Sequence, residues 1–239
     1  MQQMPGVRSD QPSPCRGTPL SFLSMAILAV GCRYPGSIPH RSRAAKVVAV
    51  DYFTKWIEAE VVAPISTEKV HRFYWKNIIC RFGFPKVIVT DNGIQFASAS
   101  VVDFCKGLGF QNRFTSVEHP QANKQAEAAN KIILTGLKKK LEHAKGLWAE
   151  YLHEILWSYH TTPHPTTQET PFRLVYGADT IIPIEINTPT WRRAHFNEDA
   201  NLEGLNVSTD LVNEVRESTR IREYAAKDRF AIRYSLKFK

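Results

Sequence analysis

The chain has 239 residues, 31 Lys+Arg against 23 Asp+Glu for a formal charge of +8, and 43% hydrophobic residues with only 12 Gly and 14 Pro. This excludes a collagen-like, low-complexity or wholly disordered protein and leaves enough chain to bury a core of ordinary domain size. The positive excess suits a polyanionic partner such as nucleic acid, although solubility alone also produces basic surfaces. Four cysteines, Cys15, Cys32, Cys80 and Cys105, form no Cys-x-x-Cys pair, so neither a zinc ribbon nor a disulfide framework is indicated.

Residues 1–45 are rich in Pro, Ser, Gly and Arg around one apolar run, Leu20 to Val30. The run is too short to cross a bilayer, and as a secretory segment it would sit before a chain that resembles nothing secreted. From Lys46 the pattern is regular. Val47 to Val50 and Trp56 to Ala63 predict a strand hairpin. Ser66 opens a helix with Val70, Phe73, Tyr74, Ile78 and Phe82 on one face, ended by Gly83 and Pro85. Lys86 to Thr90 predicts a short buried strand, Ser98 to Leu108 a helix and Gln111 to Thr115 another strand. A Pro-bearing loop then leads to helices over 124–144 and 147–161. Strands followed by alternating helices and strands predict an α/β domain with a mixed sheet flanked by helices. His160 and His164 have helical ligand spacing, but Pro163 and Pro165 interrupt it, which predicts a loop with two solvated histidines rather than a metal site.

Two acids stand out. Asp91 ends the strand Val87-Ile88-Val89-Thr90 and precedes Asn92-Gly93, the place where an open α/β sheet puts a site, although Asp-Asn-Gly is also an ordinary turn. Glu127 lies in the first turn of the long helix, off its inward stripe of Ala126, Ala129, Ile133, Leu137, Leu141 and Ala144, with Lys131 and Lys138 following on its own face. Such a face is either a solvated Glu-Lys pairing or a carboxylate and two ammonium groups that hold a metal ion and track a phosphate backbone.

The segments Val48 to Trp56, Thr90 to Phe96 and His119 to Glu127, with Trp157 to Thr162 and Thr170-Pro171-Phe172 before Tyr176-Gly177-Ala178, resemble the integrase core of plant gypsy-type LTR retrotransposon polyproteins. Thirty-five residues separate Asp91 from Glu127, which is similar to the spacing of the last two acids of the retroviral integrase triad. The resemblance implies a ribonuclease H-like fold and DNA integration by metal-dependent strand transfer. Asp91 and Glu127 would be catalytic metal ligands for two Mg²⁺ or Mn²⁺ ions. Lys131, Lys138 and Lys139, with Lys140, Asn92, Gln121 and Asn123, would meet DNA. The implied partners are DNA and further copies of the chain, as a dimer or higher oligomer, with no small-molecule substrate, no membrane and a nuclear location.

The resemblance also exposes gaps. It aligns Val47 to Tyr52 with the second strand of that fold, so Asp51 reads as a structural acid, whereas the family's first catalytic Asp belongs to a preceding strand of the type Trp-Gly-Ile-Asp, which residues 1–45 do not contain. Lys124 stands where the family usually has Gly. Read one base later, a Met-Ala codon pair such as Met25-Ala26 gives Trp, and codon degeneracy through Pro39 into His40 permits Trp-Pro-Phe-Leu-Gln-Trp-Gly-Val-Asp-Ile-Leu-Gly-Pro-Phe-Pro. The expected organisation is an irregular, frameshifted or non-native segment over 1–45, an integrase-like core over 46–178 with its first strand missing or scrambled, and a charged helical extension over 179–239. The chain would then be catalytically defective, or a noncatalytic nucleic-acid-binding or interaction module derived from an integrase.

Overall fold

The computed structural model describes residues 24–31, 45–62, 64–114, 127–136, 148–180 and 194–237. Its centre is a five-stranded sheet in the order β3-β2-β1-β4-β5, with β1 Ser24–Gly31, β2 Ala45–Asp51, β3 Ile57–Val62, β4 Val87–Thr90 and β5 Gln111–Phe114. The β1-β2 and β2-β3 pairs are antiparallel, and the β1-β4 and β4-β5 pairs are parallel.

The expectation of a missing first strand is corrected here. Ser24–Gly31 occupies the middle of the sheet, pairing Ile27 with Ala49 on one side and with Thr90 on the other. A central strand covered on both faces needs a continuous apolar run rather than a particular motif, and Ser-Met-Ala-Ile-Leu-Ala-Val-Gly supplies one. Ile27 is fully buried among Val47, Ala49 and Ile88.

Alternation along β2 distributes its side chains between two helical layers. Val47 and Ala49 pack with Val70, Phe73, Tyr74 and Ile78 of helix α1, 67–82, and with Val101 and Cys105 of α2, Ala99–Gly107. Val48 and Val50 pack instead with Ala129 and Ile133 of α3, 127–136, and with Leu152, Ile155 and Leu156 of α4, Trp148–His160. Helix α1 runs from Thr67–Phe73 through a π-helical stretch, Tyr74–Ile79, to Cys80–Phe82, and Gly83 at φ 83° ends it. Ser98 caps α2 by accepting a hydrogen bond from the Val101 N–H. Where α3 crosses α4, a Cβ on Gly136 would lie 3.0 Å from Ile155 Cγ2, so the crossing admits little more than a glycine.

The charged C-terminal segment is one helix, α6, Glu198–Lys237, and it is seated on the core. It meets α5, Pro171–Tyr176, whose start is capped by Thr170 and whose end is the left-handed Gly177. The Arg216 guanidinium donates to the carbonyls of Leu174 (3.1 Å) and Val175 (3.3 Å) in the last turn of α5, which a helix C-terminus favours. Val212 fits against Gly177, where a Cβ would approach its Cγ2 to 3.1 Å.

Further along, Lys55, held at φ 62° in the β2-β3 turn, donates to Glu223 at 2.7 Å and to the Tyr52 carbonyl. Both charged side chains are nearly enclosed, at 6% and 11% exposure. Burial depresses the Lys55 pKa, and Glu223 works against that shift. Removing one member leaves the other charge buried and uncompensated, which in general costs about 3–5 kcal/mol. Glu223→Ala is therefore expected to lower unfolding free energy by about 3 kcal/mol. Most of that loss should return in the Lys55→Met, Glu223→Leu double variant, as read by urea denaturation.

Candidate active site

Asp91 stands one residue beyond β4, half-buried, and its Oδ1 accepts the Gly93 N–H at 3.1 Å. Desolvation by burial raises its pKa, partly offset by that hydrogen bond. The close turn requires glycine for space rather than for dihedral angle, because a Cβ at Gly93 would lie 2.9 Å from Asp91 Oδ1. The Gly93 carbonyl accepts from Phe96 and Ala97, starting the helical turn Ile94–Ala97, and buried Phe96 anchors it in the core. Asn112 of β5 ties the ensemble together by donating to the Phe96 carbonyl at 3.3 Å and accepting from the Thr90 hydroxyl at 3.4 Å. Asn92 is exposed at the tip of the turn.

Glu127 is the first described residue of α3 and is exposed, as is Lys131 one turn later, while Ala129 and Ile133 face the core. Gln121, Asn123, Lys124, Lys138, Lys139 and Lys140 lie outside the described residues.

The sheet register shows what accompanies Asp91. Thr90 pairs with Ile27, and the next residue on each strand is Asp91 and Leu28. Leu28 thus takes the position on β1 at the level of Asp91. Asp51 pairs with Met25, so it lies three residues back along β1, about 10 Å at strand rise, and two strands away from β4. Its buried Oδ2 accepts from both the Thr54 N–H and the Thr54 hydroxyl at 2.7 Å, which fixes the β2-β3 turn.

Two hard cations in a shared site require several carboxylate oxygens. Leucine has none, and among the described residues no three His, Cys, Asp or Glu side chains come together in a way that could hold a metal ion. Among the described residues, Asp91 and its neighbours on the sheet do not supply the oxygens of a two-metal clamp.

The histidine pair also differs from expectation. His160 is buried, not solvated: it stacks on Trp56 at 3.7 Å, and its Nε2 lies 3.0 Å from the Ile57 carbonyl. Burial pushes its pKa down to about 4, so the ring is neutral at pH 7. His164 is half-buried, with Nδ1 2.9 Å from the Thr166 hydroxyl. Local spacing could not reveal this, because Trp56 and His160 are brought together only by the packing of α4 on β3.

Residues 30–120 match the family model described as "Integrase core domain". That segment is similar to the integrase core of retroviral and retrotransposon Pol polyproteins. A Pol polyprotein of radiation murine leukemia virus (strain Kaplan) is 34% identical over 134 residues, covering 55% of this chain and 23% of that protein. The chain spans less than a quarter of the length of the first curated relatives it matches. Among solved structures, the simian T-cell lymphotropic virus intasome in complex with a PP2A regulatory subunit aligns with TM-score 0.58 and 21% identity over 73% of this chain and 61% of that one. The HTLV-2 integrase catalytic core, solved in complex with magnesium, aligns with TM-score 0.52 and 20% identity over 66% of this chain and 97% of that one. At these identities the structures establish the fold alone, a ribonuclease H-like one that this chain shares.

Burial pushes the Asp51 pKa from 3.8 up to about 6. A raised carboxylate favours folding in its protonated form. Its contribution is complete below pH 3.8 and is lost as pH rises through about 6, a swing of about 3 kcal/mol by linkage. Relative to Asp51→Asn, the unsubstituted chain should therefore lose stability between pH 4 and 7. Parallel unfolding curves of the two proteins across that window would remove Asp51 as the source.

Proposed function

We propose that this chain is the core of an integrase from a plant gypsy-type LTR retrotransposon, that it binds DNA, and that it is defective in strand transfer. The observation that supports the defect is the β1-β4 register, which sets Leu28 at the level of Asp91. Asp91 and Glu127 are the two acids the chain retains, and exposed Lys131 follows Glu127 by one helical turn. DNA binding is favoured by the +8 formal charge and by this basic helix face. Gln121, Asn123, Lys138, Lys139 and exposed Asn92 belong to the same proposed interface. A further copy of the chain and a nuclear location complete the reading; the HTLV-2 integrase catalytic core, similar in fold, has been solved in a dimeric form.

The test has two arms. The chain should bind duplex DNA with an affinity that falls as salt rises, equally in the Asp91→Asn variant, and should give no Mg²⁺- or Mn²⁺-dependent nicking. Leu28→Asp should raise Mn²⁺ affinity by at least about tenfold in calorimetric titration, while Leu28→Asn should not. Nicking by the unsubstituted chain that disappears in Asp91→Asn would overturn the proposed defect.

We also take residues 25–45 as the frameshifted remnant of the family's opening segment, in which the lost Asp would straddle the codons of Arg33 and Tyr34, beyond Ser24–Gly31 and not at Leu28. Sequencing genomic DNA and transcript across codons 15–50 should reveal Trp-Gly-x-Asp-x-Leu-Gly in the shifted frame. If no frame encodes that Asp, the frameshift origin fails, while the Leu28 argument stands.

A further inference from the structure

We propose that α6 pairs antiparallel with α6 of a second copy of this chain. One face of the helix is already committed to the core through Val212, Arg216 and Glu223. A second face carries Val207, Leu211 and Ile221, exposed at 52%, 48% and 63%, together with exposed Ala225. With Glu214 and Ser218 these positions follow one another at alternating steps of four and three residues, the spacing of a seam between two helices. Among the described residues, the core meets the helix through the docked stripe and leaves this seam exposed.

Charge along α6 selects the occupant and its direction. Residues 198–217 carry six acids and one arginine, whereas residues 218–237 carry six Lys/Arg and two acids. An antiparallel second copy lays the acidic half of each helix along the basic half of the other; a parallel copy would stack like on like and set Glu214 against its own equivalent. Centred between Glu214 and Ser218, the antiparallel seam places Leu211 opposite Ile221 of the second copy and Val207 opposite Ala225. Glu214 then meets a serine hydroxyl instead of another carboxylate. The helix is 40 residues long, about 60 Å, so the seam fits within it. This pairing depends on the seating of α6 and is independent of the DNA reading.

The experiment uses the full chain. Leu211→Cys and Ile221→Cys proteins are oxidised separately and as a mixture, with the unsubstituted chain measuring background from the native cysteines. The mixture should form a disulfide-linked heterodimer, and neither variant alone should exceed background. Self-linking of each variant, or no excess in the mixture, would overturn the antiparallel seam. Sedimentation equilibrium supplies the second readout: Leu211→Glu and Ile221→Glu should each weaken self-association by at least about tenfold, because a carboxylate enters an apolar contact. A monomeric unsubstituted chain at about 100 μM, or a dimer indifferent to both changes, would equally reject the proposal.

Discussion

The parallel pairing of β1 with β4 is the constraint on which the rest of this molecule depends. It closes the sheet by joining the antiparallel β2-β3 hairpin to the parallel β4-β5 pair, and it fixes which residue stands level with Asp91. Without a strand in that place β2 and β4 would each present an unpaired edge inside the sheet, with backbone groups cut off from water. The run Ser24–Gly31 fills the position through apolar composition and extended geometry. Those are the only properties the fold asks of it, and they carry no requirement for a carboxylate.

The second organising contact lies far from that strand. The buried Lys55-Glu223 pair spans 168 residues and joins the β2-β3 turn to α6, while Arg216 binds the last carbonyls of α5. Each group loses hydration on docking and recovers it only in this arrangement, so the contacts specify one seating of the helix more than they add net stability. Arg222 with Glu169 at 3.6 Å, and the Arg220 guanidinium over the Phe53 ring at 5.6 Å, lie on the same docked region. A helix fixed in this way holds its remaining faces in set directions, which a free linker would not do.

Most of the regular elements were legible because their signals are local. The β-branched run Val47 to Val50, the helix face Val70 to Phe82 ended by Gly83, the helix beginning at Ser98 and the short strand before Asp91 each declare themselves within a few residues. The position of Asp91 was legible for the same reason, since a carboxylate before Asn-Gly just beyond a buried strand marks a turn. What the sequence concealed was non-local. The stretch Leu20 to Val30 reads as an apolar run of uncertain purpose until its partners Ala45–Asp51 and Val87–Thr90 are known. The stacking of His160 on Trp56 and the pairing of Lys55 with Glu223 depend on chain segments about a hundred residues or more apart, for which spacing rules have no signal.

Fold and chemistry therefore respond to different properties of the same strand. Burial energy is distributed over many side chains, so a central strand such as β1 tolerates many apolar sequences at little cost to the sheet. Coordination of a hard cation is concentrated in a few oxygen atoms at fixed positions, and no quantity of surrounding hydrocarbon replaces one of them. Ile27 meets the first demand, and the run Ser24–Gly31 contains no carboxylate to meet the second. The same separation is visible in the motif around Asp91, whose glycine at 2.9 Å clearance and Asn112 braces stand beside a strand with no carboxylate in Ser24–Gly31. Those features hold the turn together through local packing and hydrogen bonds, and none of them depends on the residue at position 28.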